Sequence, residues 1–266
     1  MRVAVLLLAL SGSPFSIAAA QDQLSEARRL YNTQQFEAAE RAARAATAQP
    51  RAANSARVVL ARILLERYRQ SSNPAHLTEA RDALRGANPT TLDPRERVEL
   101  MLGYAEGLFL EDRFAAAAEL FEPAIAAAGQ LGPAAHTRAL DWWATAVDRH
   151  AATRPFPERW QFYERIIKKM NEELETDPGS GPANYWLVAA AHGSGDLDAA
   201  WATAQASWVR TAFSAARVVQ TRADIDRVVM EGIIPARAAR VSSRDSNLVV
   251  AGMVGEWEAF KNSWTR

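Results

Sequence analysis

The residues that could do chemistry in this chain are few, and their spacing argues against most of it. The four histidines, His76, His136, His150 and His192, are scattered, and none falls in a His-Glu-x-x-His arrangement of the kind that holds zinc on a helix. His192 adjoins Gly193-Ser194-Gly195-Asp196, which places a hydroxyl near an imidazole. That stretch is not the Gly-x-Ser-x-Gly elbow of a hydrolase, and its glycines suit a turn between helices. Glu172, Glu173, Glu175 and Asp177 bring four carboxylates together at the end of a charged segment. A hard cation would accept such oxygens, but the interspersed charges read more simply as a solvated helix face. Cysteine is absent, so disulfides, thiolate catalysis, cysteine metal sites and an acylated-cysteine anchor are all excluded. These residues predict no catalytic site, no metal and no cofactor.

The elements that must position any binding residues begin after an export signal. Arg2 supplies the positive start, Val3–Leu10 the apolar stretch, and Ser11, Gly12, Ser13 and Pro14 interrupt it. Ala18-Ala19-Ala20 places small residues before Gln21, the pattern of a cleavage site. The apolar run is far shorter than the roughly 20 residues a membrane span needs, and no later stretch supplies one. The expectation is a cleaved leader over 1–20 and a periplasmic or secreted chain. Lys plus Arg number 31 and Asp plus Glu 31, a balance that leaves no basic excess for a nucleic-acid partner.

The remaining chain is rich in alanine and poor in β-branched runs, which favours helix. Asn73-Pro74, Asp93-Pro94, Gly132-Pro133, Phe156-Pro157 and Gly181-Pro182 mark helix starts, because proline is tolerated at the first helical position. Asp93 with Glu96 fits a capping box. These signals predict helix pairs at 22–33 with 36–49, 54–70 with 74–86, 94–110 with 113–129, 133–152 with 157–176, and 182–192 with 197–212. An apolar residue opens each second helix, at Phe36, Leu77, Phe114, Phe156 and Leu197, with separations of 41, 37, 42 and 41. Three residues on stand Ala39, Ala80, Ala117, Arg159 and Ala200. Such periodicity predicts an all-α solenoid of about five helical hairpins, stabilised by burial between neighbours.

Ala105, Leu108, Phe114, Ala117, Phe121 and Ala124 stand at the spacing of a packing signature, as do Ala27, Leu30, Phe36, Ala39, Ala43 and Ala46. In these residues the chain resembles the tetratricopeptide (TPR) repeat family. The resemblance covers about 22–212, with Val188 at a usually small position and longer turns in the second and fourth pairs. It implies a right-handed α-solenoid over 21–212. It also implies a concave groove lined by the first helix of each pair, serving a protein or peptide partner. Carried onto this chain, the groove comprises Arg28, Tyr31, Asn32, Arg62, Glu66, Glu106, Phe109, Asp141, Asp148, Tyr185 and His192, with Thr145 and Arg149 beside them.

Residues 213–266 fall outside the repeat and predict a helical cap over the open end, since an uncovered solenoid end exposes apolar surface. Leu248, Met253, Trp257, Phe260 and Trp264 are its expected apolar contacts. The six arginines between Arg217 and Arg244 alternate with acids and read as a solvated face. All eight tryptophans lie from Trp142 onward. Packing between the last repeats and the cap accounts for them. The alternative is an aromatic pocket of a small-ligand carrier or transporter accessory.

Overall fold

The computed structural model describes residues 15–214 and 218–265, with side chains from Gln23 onward. The secondary structure of the described residues is helical, without strands, and helices pack in adjacent pairs. No described helix is long and apolar enough to cross a membrane. Most of the proposed leader lies outside the described residues; from Phe15 the chain is helical across the expected cleavage point. The chain divides into two compact units at Asp112/Arg113. That division separates the two helices expected to form the third hairpin.

The first unit contains α1 (Phe15–Asn32), α2 (Phe36–Thr47), α3 (Ala53–Ser71), α4 (Pro74–Arg85) and α5 (Pro94–Leu110). Alanines set the helix spacing. Ala39, Ala42, Ala43 and Ala46 on α2 are buried with Leu24, Ala27 and Leu30 of α1 and Ile63 and Leu64 of α3. A methyl group brings the helix axes close at almost no side-chain entropy. Gly103 serves the same end on α5, because a Cβ there would lie 2.8 Å from Leu84 Cδ2. Helix starts follow the sequence signals. Asn73 accepts from the Ala75 N–H, and Asp93 with Glu96 forms the capping box in full.

The second unit contains α6 (Phe114–Ala128), α7 (Pro133–Ala152), α8 (Phe156–Thr176), α9 (Gly181–Gly193) and α10 (Leu197–Arg210). Beyond them come α11 (Val218–Arg227), a π-helical segment (Val228–Ile233), α12 (Ile234–Ala238) and α13 (Ser246–Trp264). Pro235 lies in the first turn of α12, directly after the π segment.

Three apolar expectations fail here. Phe156 opens α8 but is 60% exposed; the buried stripe of that helix starts later, at Tyr163, Ile166 and Met170. On α13, Met253, Trp257 and Phe260 pack inward, while Leu248 is 74% exposed. At about 100° per residue, Leu248 lies nine residues from Trp257 and so on the opposite side. Trp264 is 58% exposed although it shares the face of Trp257; it occupies the last turn, where it meets Phe260 with ring centroids 6.3 Å apart.

Candidate functional site

In the first unit the first helices of successive pairs bring a charged stripe together. Arg28 lies on α1 with Tyr31 one turn on, Arg62 on α3, and Glu96, Glu99 and Glu106 recur along one side of α5. Arg28 Nη2 donates to Glu96 Oε1 and to Glu99 Oε2, each at 3.1 Å. Glu96 also accepts the Asp93 N–H through its other oxygen, at 3.3 Å, so one carboxylate both caps α5 and ties it to α1. Arg62 Nη2 donates to Glu106 Oε1 at 3.1 Å, and its guanidinium lies 5.2 Å from the Tyr31 ring centre. Burial disfavours the charge on Arg62, but Glu106, Tyr31 and Glu99 hold its pKa above the ordinary value. Arg28 behaves likewise, with burial opposed by Glu99 and Glu96. The Nε of each arginine is buried without a partner.

Four expected groove residues of this unit, Arg28, Tyr31, Arg62 and Glu106, therefore converge. Asn32 lies exposed at the end of α1, Glu66 is half-buried and salt-bridged to Arg69 at 2.8 Å, and Phe109 is half-buried. Glu96 and Glu99 complete the network and were not among the expected groove residues. Their spacing, with Glu106 three and then seven residues on, was the available signal. The three glutamates are buried, Arg62 is nearly so, and Arg28 is the partly exposed edge of this internally paired network, which contains no nucleophile–base pair.

In the second unit the corresponding face runs across α7, α9 and α11. Asp141 accepts from Trp186 Nε1 at 2.8 Å, and Asp148 accepts from the Tyr163 hydroxyl at 3.1 Å. Gly193 makes room for that tyrosine, since a Cβ there would come within 2.4 Å of its ring. Burial pushes the Asp148 carboxyl up. Burial, then Asp148, pushes the Tyr163 phenol up to about 12. Tyr185 is half-buried and also raised, by burial first; Arg227 opposes this, and Asp224, Asp148 and Asp141 add to it. Asp224 was not among the expected site residues. His192 ends the row inside α9, its pKa lowered by burial, with its ring against the backbone of Gly232 in the π segment.

The proposed acidic patch is not wholly solvated. Glu173 Oε2 meets His136 Nε2 at 2.9 Å, a pairing between residues 37 apart that local pattern does not reveal. The hydrogen bond to Glu173 raises His136 above 6.5, and the same bond lowers Glu173 below 4.5. The pair should stabilise the fold fully between about pH 4.5 and 6.5. Its contribution should fade as the pH rises through the elevated His136 value, or falls through the depressed Glu173 value. A His136→Gln chain should lose stability relative to the parent at pH 6 and much less at pH 8.5. Urea melts at the two pH values read this directly, and an equal loss at both would exclude the charged pair. Among the described residues no group of His, Cys, Asp or Glu is arranged to hold a metal ion.

Trp143 and Trp257 are completely buried, and Trp186, Trp201 and Trp208 nearly so. Trp257 meets Trp201, Trp208 and Phe260 at 5.8, 5.5 and 5.7 Å between ring centres. An open cavity of about 590 Å³ lies between α10, α12 and α13, lined by Leu197, Arg237, Leu248, Met253 and Glu256 among others, and no tryptophan lines it. Comparison with known proteins gives no match to a family model, to a curated protein or to a solved structure.

Proposed function

We propose that this chain is an exported, non-catalytic interaction scaffold of the tetratricopeptide type, a right-handed solenoid that receives a protein or peptide segment along its first helices. The observation that carries the reading is the convergence of Arg28, Tyr31, Arg62, Glu96, Glu99 and Glu106 from three first helices onto one face. Their mutual ion pairs hold each side chain in place before any partner arrives, which lowers the ordering cost of binding. Arg28 and Asn32, at the accessible edge of this network, offer guanidinium and amide groups that suit the backbone and charged side chains of a peptide better than a lipid. A tryptophan-lined carrier pocket has less support, since five of the eight tryptophans are spent on packing. The leader over 1–20 supports a periplasmic or secreted location, and N-terminal sequencing of the exported chain should begin at Gln21.

The binding reading is tested with a random-peptide display library panned against the full chain. Enriched peptides should bind the parent and weaken at least tenfold on Asn32→Ala and on Arg28→Lys. The lysine keeps the charge but loses the planar fork. A melting temperature within about 2 °C of the parent would show that the fold survives. Failure to enrich any peptide, or indifference of the enriched ones to both substitutions, would remove the proposal.

A further inference from the structure

Over its first half α13 carries no charge on any side, yet only one side of it is covered. From Ser246 to Gly255 no residue is acidic or basic. Val250, Met253 and Val254 pack against the tryptophan cluster. Asn247, Leu248, Ala251, Gly252 and Gly255 are exposed, Leu248 to 74%. A surface helix ordinarily turns a charged or polar face to water, and one that lacks it is buried all round.

The uncovered side borders the open cavity between α10, α12 and α13. Leu248, Gly252 and Glu256 stand one turn apart along its α13 wall, and Arg240 and Val241, just beyond α12, line it too. Nothing inside the chain calls for glycine at 252, since a Cβ there would meet no atom within 4 Å. Glycine within a helix costs stability relative to alanine; its small size permits close approach of another backbone.

Charge gives this face a polarity. Toward the start of α13, Arg240 donates to the Gly195 carbonyl at 2.7 Å and meets no carboxylate among the described residues. One turn beyond Gly252, Glu256 meets no cation among them. The neighbouring charges are already matched, Arg237 with Asp198, and Glu258 with Lys261 at 2.7 Å. A face that is basic at one end and acidic at the other complements a copy of itself turned end to end. A two-fold axis lying between two such faces, perpendicular to the line from Arg240 to Glu256, sets each arginine against the partner's glutamate. The same rotation runs the two α13 helices antiparallel, with Gly252 at the crossing. A small ligand in the cavity would leave Asn247, Ala251 and Gly255 uncovered, and the unpaired Glu256 would oppose an anionic membrane.

We propose that two copies of this chain associate through the outer face of α13, crossing antiparallel at Gly252, with Arg240 of each copy paired to Glu256 of the other. The surface lies wholly in the second unit and does not depend on the scaffold reading. The uncharged stripe supplies the apolar centre of the interface, and the two ion pairs at its ends fix the orientation.

Sedimentation equilibrium of the full chain at pH 7, from about 1 to 200 µM, should show a monomer–dimer equilibrium within the micromolar range. Leu248→Lys and Gly252→Leu should each weaken the dimer at least tenfold. At the dilute end both should melt as the parent does, because neither site is packed within the monomer. Arg240→Glu and Glu256→Arg should each weaken it similarly, and the chain carrying both should dimerise nearly as the parent does. That restoration identifies pairing between copies, which loss of either charge alone would not. A parent that stays monomeric throughout would overturn the proposal, whatever else it binds. So would a dimer indifferent to Leu248→Lys and Gly252→Leu, or a double charge swap no tighter than the single ones.

Discussion

Replacing Trp257 with alanine should cost the second unit about 3–5 kcal/mol, the range for deleting a large buried aromatic side chain. Trp257 is completely buried on α13 and packs on Trp201, Trp208 and Phe260. Its Nε1 donates to Asp226 Oδ1 at 2.8 Å, and Lys261 Nζ reaches the same oxygen at 2.6 Å. Truncation therefore opens a cavity and removes one of the two donors that Asp226 holds. Trp257→Phe should cost less, because it keeps most of the packing and loses mainly the hydrogen bond. Urea unfolding followed by circular dichroism provides the comparison. A loss below about 1 kcal/mol for the alanine chain would mean that α13 is not integral to this unit.

The second large effect is expected at Arg62 and Glu106, whose side chains are only 12% and 6% exposed. Glu106→Ala should cost about 3–5 kcal/mol, because it leaves the Arg62 charge buried without its partner. Removing both charges in Arg62→Met/Glu106→Leu should recover much of that loss, since the desolvation of two ions disappears with their attraction. The signature is non-additivity: the double variant should be more stable than the sum of the single losses predicts, by about 1–3 kcal/mol. Strict additivity would show that the two residues do not act as a pair.

The elements themselves were legible in the chain before any coordinates. Proline at Pro74, Pro94, Pro133 and Pro182, the Asp93–Glu96 box and the recurring alanines act within one or two turns. Their physics is local and needs no knowledge of the fold. For the same reason the helix starts agree with expectation to within a residue in most cases. Arg28, Tyr31, Arg62 and Glu106, which the resemblance to tetratricopeptide repeats had placed on first helices, converge in the structure. Their partners were not all foreseen. Glu99 meets Arg28 across 71 residues, and His136 meets Glu173 across 37. Each such pair depends on the rotation and height of two helices, which no spacing within one helix specifies.

Burial at element ends was decided in the same way. Phe156 and Trp264 stand on the apolar sides of their helices yet remain exposed, because periodicity gives a direction and does not say where the opposing helix stops. The contacts of Arg222 belong to this second class. In the sequence Arg222 is one of six arginines alternating with acids. Only the packing of α10 and α11 shows that it lies over Trp208 and donates to Thr211. Local propensity determined where this chain is helical; long-range packing determined which of its side chains meet.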